Sequence, residues 1–234
     1  MSTAQPNKLK NENYYVSPRK QGAGLVSKEN VLRTYAYVSS LTPNKDKEVS
    51  KINLGAVDTR FNLNFTVHNI SKTKNLIFNK IVVTCQTDKL DSSKKGFIIP
   101  LGVEKIANDI TREEEINLKP GESKNINLSL DISEKDKDIL KDFINGYFVE
   151  GFIKLVSNTP EQPDIGLPYI GFRKIDKDGN KVNFYDTPVL ERPIYEFTDL
   201  SESSNDYPKY YRQKNSEKTN PFTSLIGKNK EKVV

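Results

Sequence analysis

Tryptophan is absent from this sequence of 234 residues, and histidine, cysteine and methionine each occur once. A lone cysteine closes no internal disulfide, so the thiol content is silent about compartment. One histidine and one cysteine also exclude a zinc site built from Cys and His, because structural sites typically take four such ligands and catalytic ones three protein ligands. A serine triad would have to use His68 as its base, and a cysteine–histidine pair would have to join Cys85 to His68. Long apolar runs are missing too. No stretch approaches the ~18 apolar residues that span a bilayer, so membrane insertion is not expected. Met1-Ser2-Thr3-Ala4-Gln5-Pro6-Asn7-Lys8 lacks the apolar core of a secretory signal and reads as the end of a preceding segment.

A basic face is not evident either. Lys plus Arg number 36 against 31 Asp plus Glu, a net charge of +5. Residues 208–234 hold seven of the bases and two of the acids, which leaves the remainder balanced at 29 of each. The excess therefore belongs to one polar tail, and a solvated tail is preferred over a nucleic-acid-binding stripe on a folded surface. At 35% hydrophobic the chain is polar, yet one core of about 120–170 residues is within reach.

What is present is alternation. Phe61, Leu63, Phe65 and Val67 alternate with Asn62, Asn64 and Thr66, the pattern of a half-buried strand. Residues 77–86 repeat it with Ile81, Val83 and Cys85 on one face, and Ile126, Leu128, Leu130 and Ile132 repeat it again. Residues 147–156 and 167–173 read as two further strands, Pro168 placing the second at an edge or a strand start. Helical signals are few. Ser27 caps a short helix containing Val31 and Leu32, and Ser133-Glu134 opens a turn that gathers Ile139, Leu140, Phe143 and Ile144 before Gly146. Residues 41–46 are a loop, Lys119-Pro120-Gly121-Glu122 is a turn, and Gly22 and Gly24 suit a tightly packed or positive-φ backbone. Beyond residue 200 only 221–226 has packing potential. Strands joined by turns and loops, with little helix, predict an all-β, antiparallel sandwich with a short N-terminal helix and an extended tail.

The chemistry-bearing residues favour structural roles. His68 falls where a strand leaves for a turn, and no G-x-S-x-G or G-T-S motif accompanies it, so a surface turn is preferred over a catalytic base. Cys85 shares the parity of Ile81 and Val83 and is expected in the core, as an inert thiol. Asp176-Lys177-Asp178-Gly179-Asn180 offers spaced oxygens, but its glycine and its twelfth residue, Thr187, do not fit a calcium loop. A hairpin turn is preferred. Asn64-Phe65-Thr66, Asn69-Ile70-Ser71 and Asn127-Leu128-Ser129 are formal glycosylation sequons of the kind an Asn-rich chain produces by chance. Leu167-Pro168-Tyr169-Ile170-Gly171 is a poor sorting signal, and no Arg-Gly-Asp is present. Tyr195, Tyr207, Tyr210 and Tyr211, set among bases, are expected to pack against a neighbouring domain rather than stack on nucleobases.

Several segments, in order, resemble the region after the catalytic domain of Gram-positive cell-envelope subtilisin-like serine proteases, of the lactocepin and streptococcal complement-anaphylatoxin peptidase type. Met1-Ser2-Thr3-Ala4 and then Tyr14-Tyr15-Val16-Ser17-Pro18-Arg19-Lys20-Gln21-Gly22-Ala23-Gly24-Leu25-Val26 resemble the close of that catalytic domain. Phe65-Thr66-Val67-His68-Asn69, Gln86-Thr87-Asp88, Gly146-Tyr147-Phe148-Val149-Glu150-Gly151-Phe152 and Pro168-Tyr169-Ile170-Gly171-Phe172-Arg173 resemble the first fibronectin type III-like domain. Pro188-Val189-Leu190-Glu191-Arg192-Pro193-Ile194-Tyr195 resembles its closing segment, and Asn220-Pro221-Phe222-Thr223 the approach to the next domain. The stretch 174–186 is longer than the family's.

The resemblance implies three regions: 1–35 as a catalytic-domain remnant, 36–200 as an immunoglobulin/fibronectin type III-like sandwich, and 201–234 as a linker. It also implies that the catalytic Asp, His and Ser lie upstream of residue 1, so no catalytic, cofactor-binding or metal site is assigned here and no cofactor is expected. The implied partners are the catalytic domain, a following sandwich and a protein or peptide substrate, in an extracellular, wall-associated setting. Residues 96–113 and 158–166 are candidate substrate-contacting loops. The alternatives are a stand-alone adhesion module for a host protein or glycan and, more weakly, a serine hydrolase using His68.

Overall fold

The period-two pattern becomes two packed sheets in the computed structural model, which describes residues 2–9, 14–42, 47–90, 98–143, 146–159, 161–176 and 178–182. In chain order the elements are α1 (Pro18–Gln21), α2 (Lys28–Arg33), β1 (Ala36–Leu41), β2 (Glu48–Val49), β3 (Ile52–Ala56), β4 (Arg60–Asn69), β5 (Leu76–Val83), β6 (Gln86–Leu90), β7 (Ile98–Lys105), β8 (Ile110–Leu118), β9 (Ser123–Asp131), α3 (Ser133–Asp142), β10 (Tyr147–Val156) and β11 (Ile165–Arg173). One sheet has the order β2-β1-β4-β9. The other has the order β3-β11-β10-β5-β8, with β6 joining β10 and β7 pairing with β6. These elements belong to the first of two units, Met1–Lys181 and Val182–Val234. The tail tyrosines and residues 188–195 and 220–226 lie outside the described residues.

The interior is where the alternation said it would be. Phe61, Leu63, Phe65 and Val67 of β4 are at most 9% exposed and meet Ile126, Leu128 and Leu130 of β9 and Leu76, Phe78, Ile81 and Val83 of β5 in one apolar cluster. Each such side chain contributes ~1.5–3 kcal/mol when fully buried. Ile139 and Phe143 close one end from α3, and Cys85 sits in the same cluster with no exposure.

Four details depart from expectation. The sandwich is not purely antiparallel: β3 runs parallel to β11, with an extra residue, Leu54, between the pairs Ile170–Asn53 and Gly171–Gly55. Residues 77–86 split into β5 and β6 at Thr84. The Thr84 hydroxyl, not a backbone carbonyl, accepts the Phe152 N–H at 3.1 Å, and the Thr84 carbonyl accepts the Tyr169 hydroxyl at 2.6 Å. That approach needs Gly151, because a Cβ there would collide with the Thr84 carbonyl. Pro168 lies inside β11, opposite Phe152. Gly166 donates its N–H to the Ser2 carbonyl at 2.8 Å, so Pro168, two residues on, turns its nitrogen to that same side. Strand β3 joins only from Tyr169 onwards, so no ladder bond is lost. Finally, most of 96–113 is not loop, because β7 and the start of β8 occupy it. Pro100 and Gly102 hide β7, which tolerates them because β6 is its only partner among the described residues.

Candidate functional site: the seat of the N-terminal segment

Residues 2–9 and 14–25 fasten to each other and then to both sheets. Gln5 and Leu25 exchange backbone bonds of 2.8 and 2.9 Å, and Val16 donates to Asn7 at 2.9 Å. The Gln21 carboxamide pins the same turn, accepting from the Asn7 N–H at 2.7 Å and donating to the Val16 carbonyl at 2.6 Å. Gly24, at φ 106°, would drive a Cβ into the Gln5 backbone. Ser17 caps α1, accepting from the Arg19 N–H at 3.1 Å, with Pro18 at the first helical position.

This capped turn aims Arg19 at two carboxylates of the sandwich. Arg19 Nε donates to Glu150 Oε2 at 2.8 Å, and its Nη2 donates to Asp88 Oδ2 at 2.6 Å. The Ser17 hydroxyl donates to the same Glu150 oxygen at 2.9 Å. The guanidinium also lies 4.3 Å from the centre of the Phe148 ring. Beside it, Gln86 donates to the Tyr15 carbonyl at 2.8 Å, and the Tyr15 ring tilts against Phe152 at 5.4 Å. At the far end, Ser2 receives the Val38 N–H at 3.0 Å and returns a bond to its carbonyl at 3.3 Å.

The electrostatics are those of a buried clasp. Glu150 is fully buried and its Oε1 has no partner among the described residues. Burial pushes its carboxyl pKa up, past the opposing pull of Arg19 and Ser17. Burial also works against the Arg19 charge, but Glu150 and Asp88 outweigh it and hold the guanidinium above its usual pKa. Arg19 therefore holds the segment in place through two strands at once, β6 and β10. A clasp of this kind binds and orients.

A second polar cluster surrounds His68, which lies within β4 and not in a turn. Asn69 extends the strand, since its side-chain amide donates to the carbonyls of Lys74, Leu118 and Lys119. His68 Nε2 is 2.8 Å from Ser39 Oγ and Nδ1 is 2.9 Å from Ser123 Oγ, while the ring stacks on Tyr37 at 4.3 Å. Glu48 stands 3.9 Å from Nε2, beyond hydrogen-bond reach and on the same nitrogen as the buried Ser39. A triad instead has its carboxylate bonded to the ring nitrogen opposite the nucleophile. The imidazole here joins β1, β4 and β9 across one row of the sheet.

The remaining sequence candidates are placed plainly. Burial pushes the Cys85 thiol up to about 12. Between Ile175 and Lys181 the chain reverses as the hairpin reading expected: Ile175 bridges Lys181, and the Asp176 carboxylate accepts the N–H groups of Asp178 and Asn180. Among the described residues no group of three or more His, Cys, Asp or Glu is placed to hold a metal. None of their helices is long and apolar enough to cross a membrane. Reading the sequence missed the Arg19–Glu150–Asp88 clasp. Its one visible signal was an acid inside the otherwise apolar run 147–153, a position that demands a buried partner.

Two sheets packed face to face, with a short helix between β9 and β10, define a β-sandwich module of the fibronectin type III class. The chain belongs to the Fn3-like domain family, whose family model matches residues 52–170. It is 32% identical over 217 residues, 93% of its length, to the C5a peptidase of Streptococcus pyogenes serotype M1 and to that of serotype M18 (strain MGAS8232). It spans 16% of the length of each of these relatives. Among solved structures, the sporulation control protein Spo0M of Bacillus subtilis is similar with a TM-score of 0.34 and 13% identity, over 61% of this chain and 50% of that one.

Proposed function

We propose that this chain is a non-catalytic accessory sandwich of a secreted, surface-bound subtilisin-like endopeptidase, which packs on the catalytic domain and helps to position a protein or peptide substrate. The observation that carries the reading is the extent of the similarity to C5a peptidase. It covers 93% of the chain, well beyond the family match at 52–170, and so takes in part of the sequence that flanks the sandwich. The clasp supports it, because it fixes the N-terminal segment rigidly on β6 and β10.

The surface of that segment adds support. Helix α2 has no buried residue, and Leu25, Val26, Val31 and Leu32 are 64, 80, 50 and 76% exposed. Isolated helices shorter than ~12–15 residues are marginal in water, and adjacent exposed aliphatics mark a surface that another body covers. In this reading the catalytic domain covers it. Contacts remote from the scissile bond then raise selectivity where their binding energy is expressed in the transition state.

The test is made on the longer protein that contains this chain. Leu32→Asp there should shorten the thermal inactivation half-life of the peptidase several-fold, while the same change in the isolated chain leaves its melting temperature unaltered. An upstream sequence without a Gly-Thr-Ser-Met motif, or stoichiometric fluorophosphonate labelling of the isolated chain, would overturn the proposal.

A further inference from the structure

Between the Arg60–Asp131 pair at one end and Glu48, beside His68, at the other, the outward side of β4 and β9 carries no formal charge, in a chain of which 29% of the residues are charged. Strands β4 and β9 set Asn62 opposite Ser129, Asn64 opposite Asn127 and Thr66 opposite Asn125. All of these are exposed except Thr66, which is half-buried. Two of the formal sequons, at Asn64 and Asn127, are this face seen in sequence: positions i and i+2 of a strand point the same way.

Ser129 donates to Asn62 at 2.6 Å, but among the described residues no bond engages the side chains of Asn64, Thr66, Asn125 or Asn127. One end of the row is the Tyr37–His68 stack, its tyrosine 37% exposed. At the other end is a pocket of about 340 Å³ lined by Arg60, Phe61, Asn62, Ser129, Leu130 and Asp131. From Asn62 to His68 the row runs about 20 Å at ~3.3 Å per residue.

The chemistry of this row selects its ligand. Unengaged carboxamides and hydroxyls each present donors and acceptors, and a neutral group loses far less hydration on contact than an ion does. An anionic polymer finds no unpaired cation along the row, because Arg60 is paired with Asp131 at 2.7 Å and Glu48, beside His68, adds a negative charge. A peptide recognised through its side chains needs apolar pockets at regular spacing, and the exposed positions between Asn62 and His68 are polar. An extended ligand rich in hydroxyls, with apolar ring faces for Tyr37, fits both the row and its ends.

We propose that the outward face of β1, β4 and β9 is a binding site for a neutral oligosaccharide chain. This rests on the composition of the face, not on the peptidase reading, and either stands or falls alone.

The test titrates the ¹⁵N-labelled chain of 234 residues with four neutral hexasaccharides (cello-, chito-, laminari- and maltohexaose) and with an anionic heparin hexasaccharide, to millimolar concentration. At least one neutral sugar should shift the side-chain amide signals of Asn64, Asn125 and Asn127. Asn64→Asp should weaken that binding at least tenfold with the remaining spectrum unchanged, and Asn125→Asp, on the other strand, makes the same measurement should the first variant fold poorly. Heparin should leave these signals in place. Unmoved amides with all four neutral sugars, equal shifts with heparin, or shifts confined to another surface would each overturn the proposal.

Discussion

Arg19 reaches across 131 residues of sequence to Glu150, and its removal tests the clasp directly. Arg19→Ala leaves a fully buried carboxylate without its cation, a loss of about 3 kcal/mol for a pair of this kind. Amide exchange at residues 14–21 should accelerate far more than exchange in β4. Arg19→Lys keeps the charge but not the fork, so it should restore only part of the protection. Glu150→Gln should cost less than Arg19→Ala at neutral pH, since a carboxamide still accepts from Ser17 and Arg19 and carries no buried charge. Cys85 gives a simpler expectation. Burial raises its pKa to about 12, so a thiol-reactive probe at pH 8 should label it only after denaturation. The sequence showed the half of the clasp that burial makes conspicuous, Glu150 in an apolar strand. It did not show which of the 36 cations answers it, because no local rule connects a capped turn at residue 18 with a strand at residue 150.

Strand β10 is the best example of an element legible in advance, since the bounds read from its pattern, 147–156, match Tyr147–Val156. Its alternation is weak and its composition apolar because it is central, flanked by β11 on one side and by β5 and β6 on the other. Gly151 marks where the flanking strand changes. Gly151→Ala should destabilise the fold by about 1–3 kcal/mol through overpacking against the Thr84 carbonyl, measured by chemical denaturation. Strands β1, β3 and β7 were not legible. Ser39 and Ser40 blur the alternation of β1, a bulge shifts the register of β3, and Pro100 and Gly102 interrupt β7. The turn reading of His68 failed for a related reason: Asn69, a residue that usually ends strands, here closes the ladder with its own side chain. His68→Ala should lower stability by about 1–2 kcal/mol through the buried Ser39 hydroxyl left unpaired and should abolish no enzymatic activity.

The sandwich as a body depends on pH through its buried acids. Burial would raise Asp136, but Arg173, donating to both its oxygens at 2.9 and 2.8 Å, and the Tyr147 hydroxyl outweigh that and hold its pKa below the usual range. A depressed carboxyl contributes stability that is complete above its unfolded pKa of ~3.9 and is lost as pH falls through the folded value. At the surface, bonds from Ser133 and Arg60 hold the exposed Asp131 down as well, to about 2. Glu150 acts in the opposite sense: its raised pKa favours the fold below its unfolded value, a contribution lost as pH rises through the folded one. Acid unfolding followed by circular dichroism should therefore begin below about pH 4. Arg173→Met should cost about 3–5 kcal/mol by stranding Asp136 and move the acid transition to higher pH. An unchanged transition would mean that Asp136 is not the group that links α3 to β11.

Local pattern determined which side chains would be inside, because strand geometry sends alternate residues to opposite faces whatever the neighbours are. Composition, with one histidine and one cysteine, left too few ligands for a Cys/His zinc cluster. Tertiary structure alone decided the partners: the parallel seat of β3 on β11, the guanidinium closed over Glu150 and Asp88, and the row of amides gathered on one side. Those depend on strand order and register, which bring together residues a hundred positions apart, and no periodicity in a linear sequence encodes which strand will lie beside which.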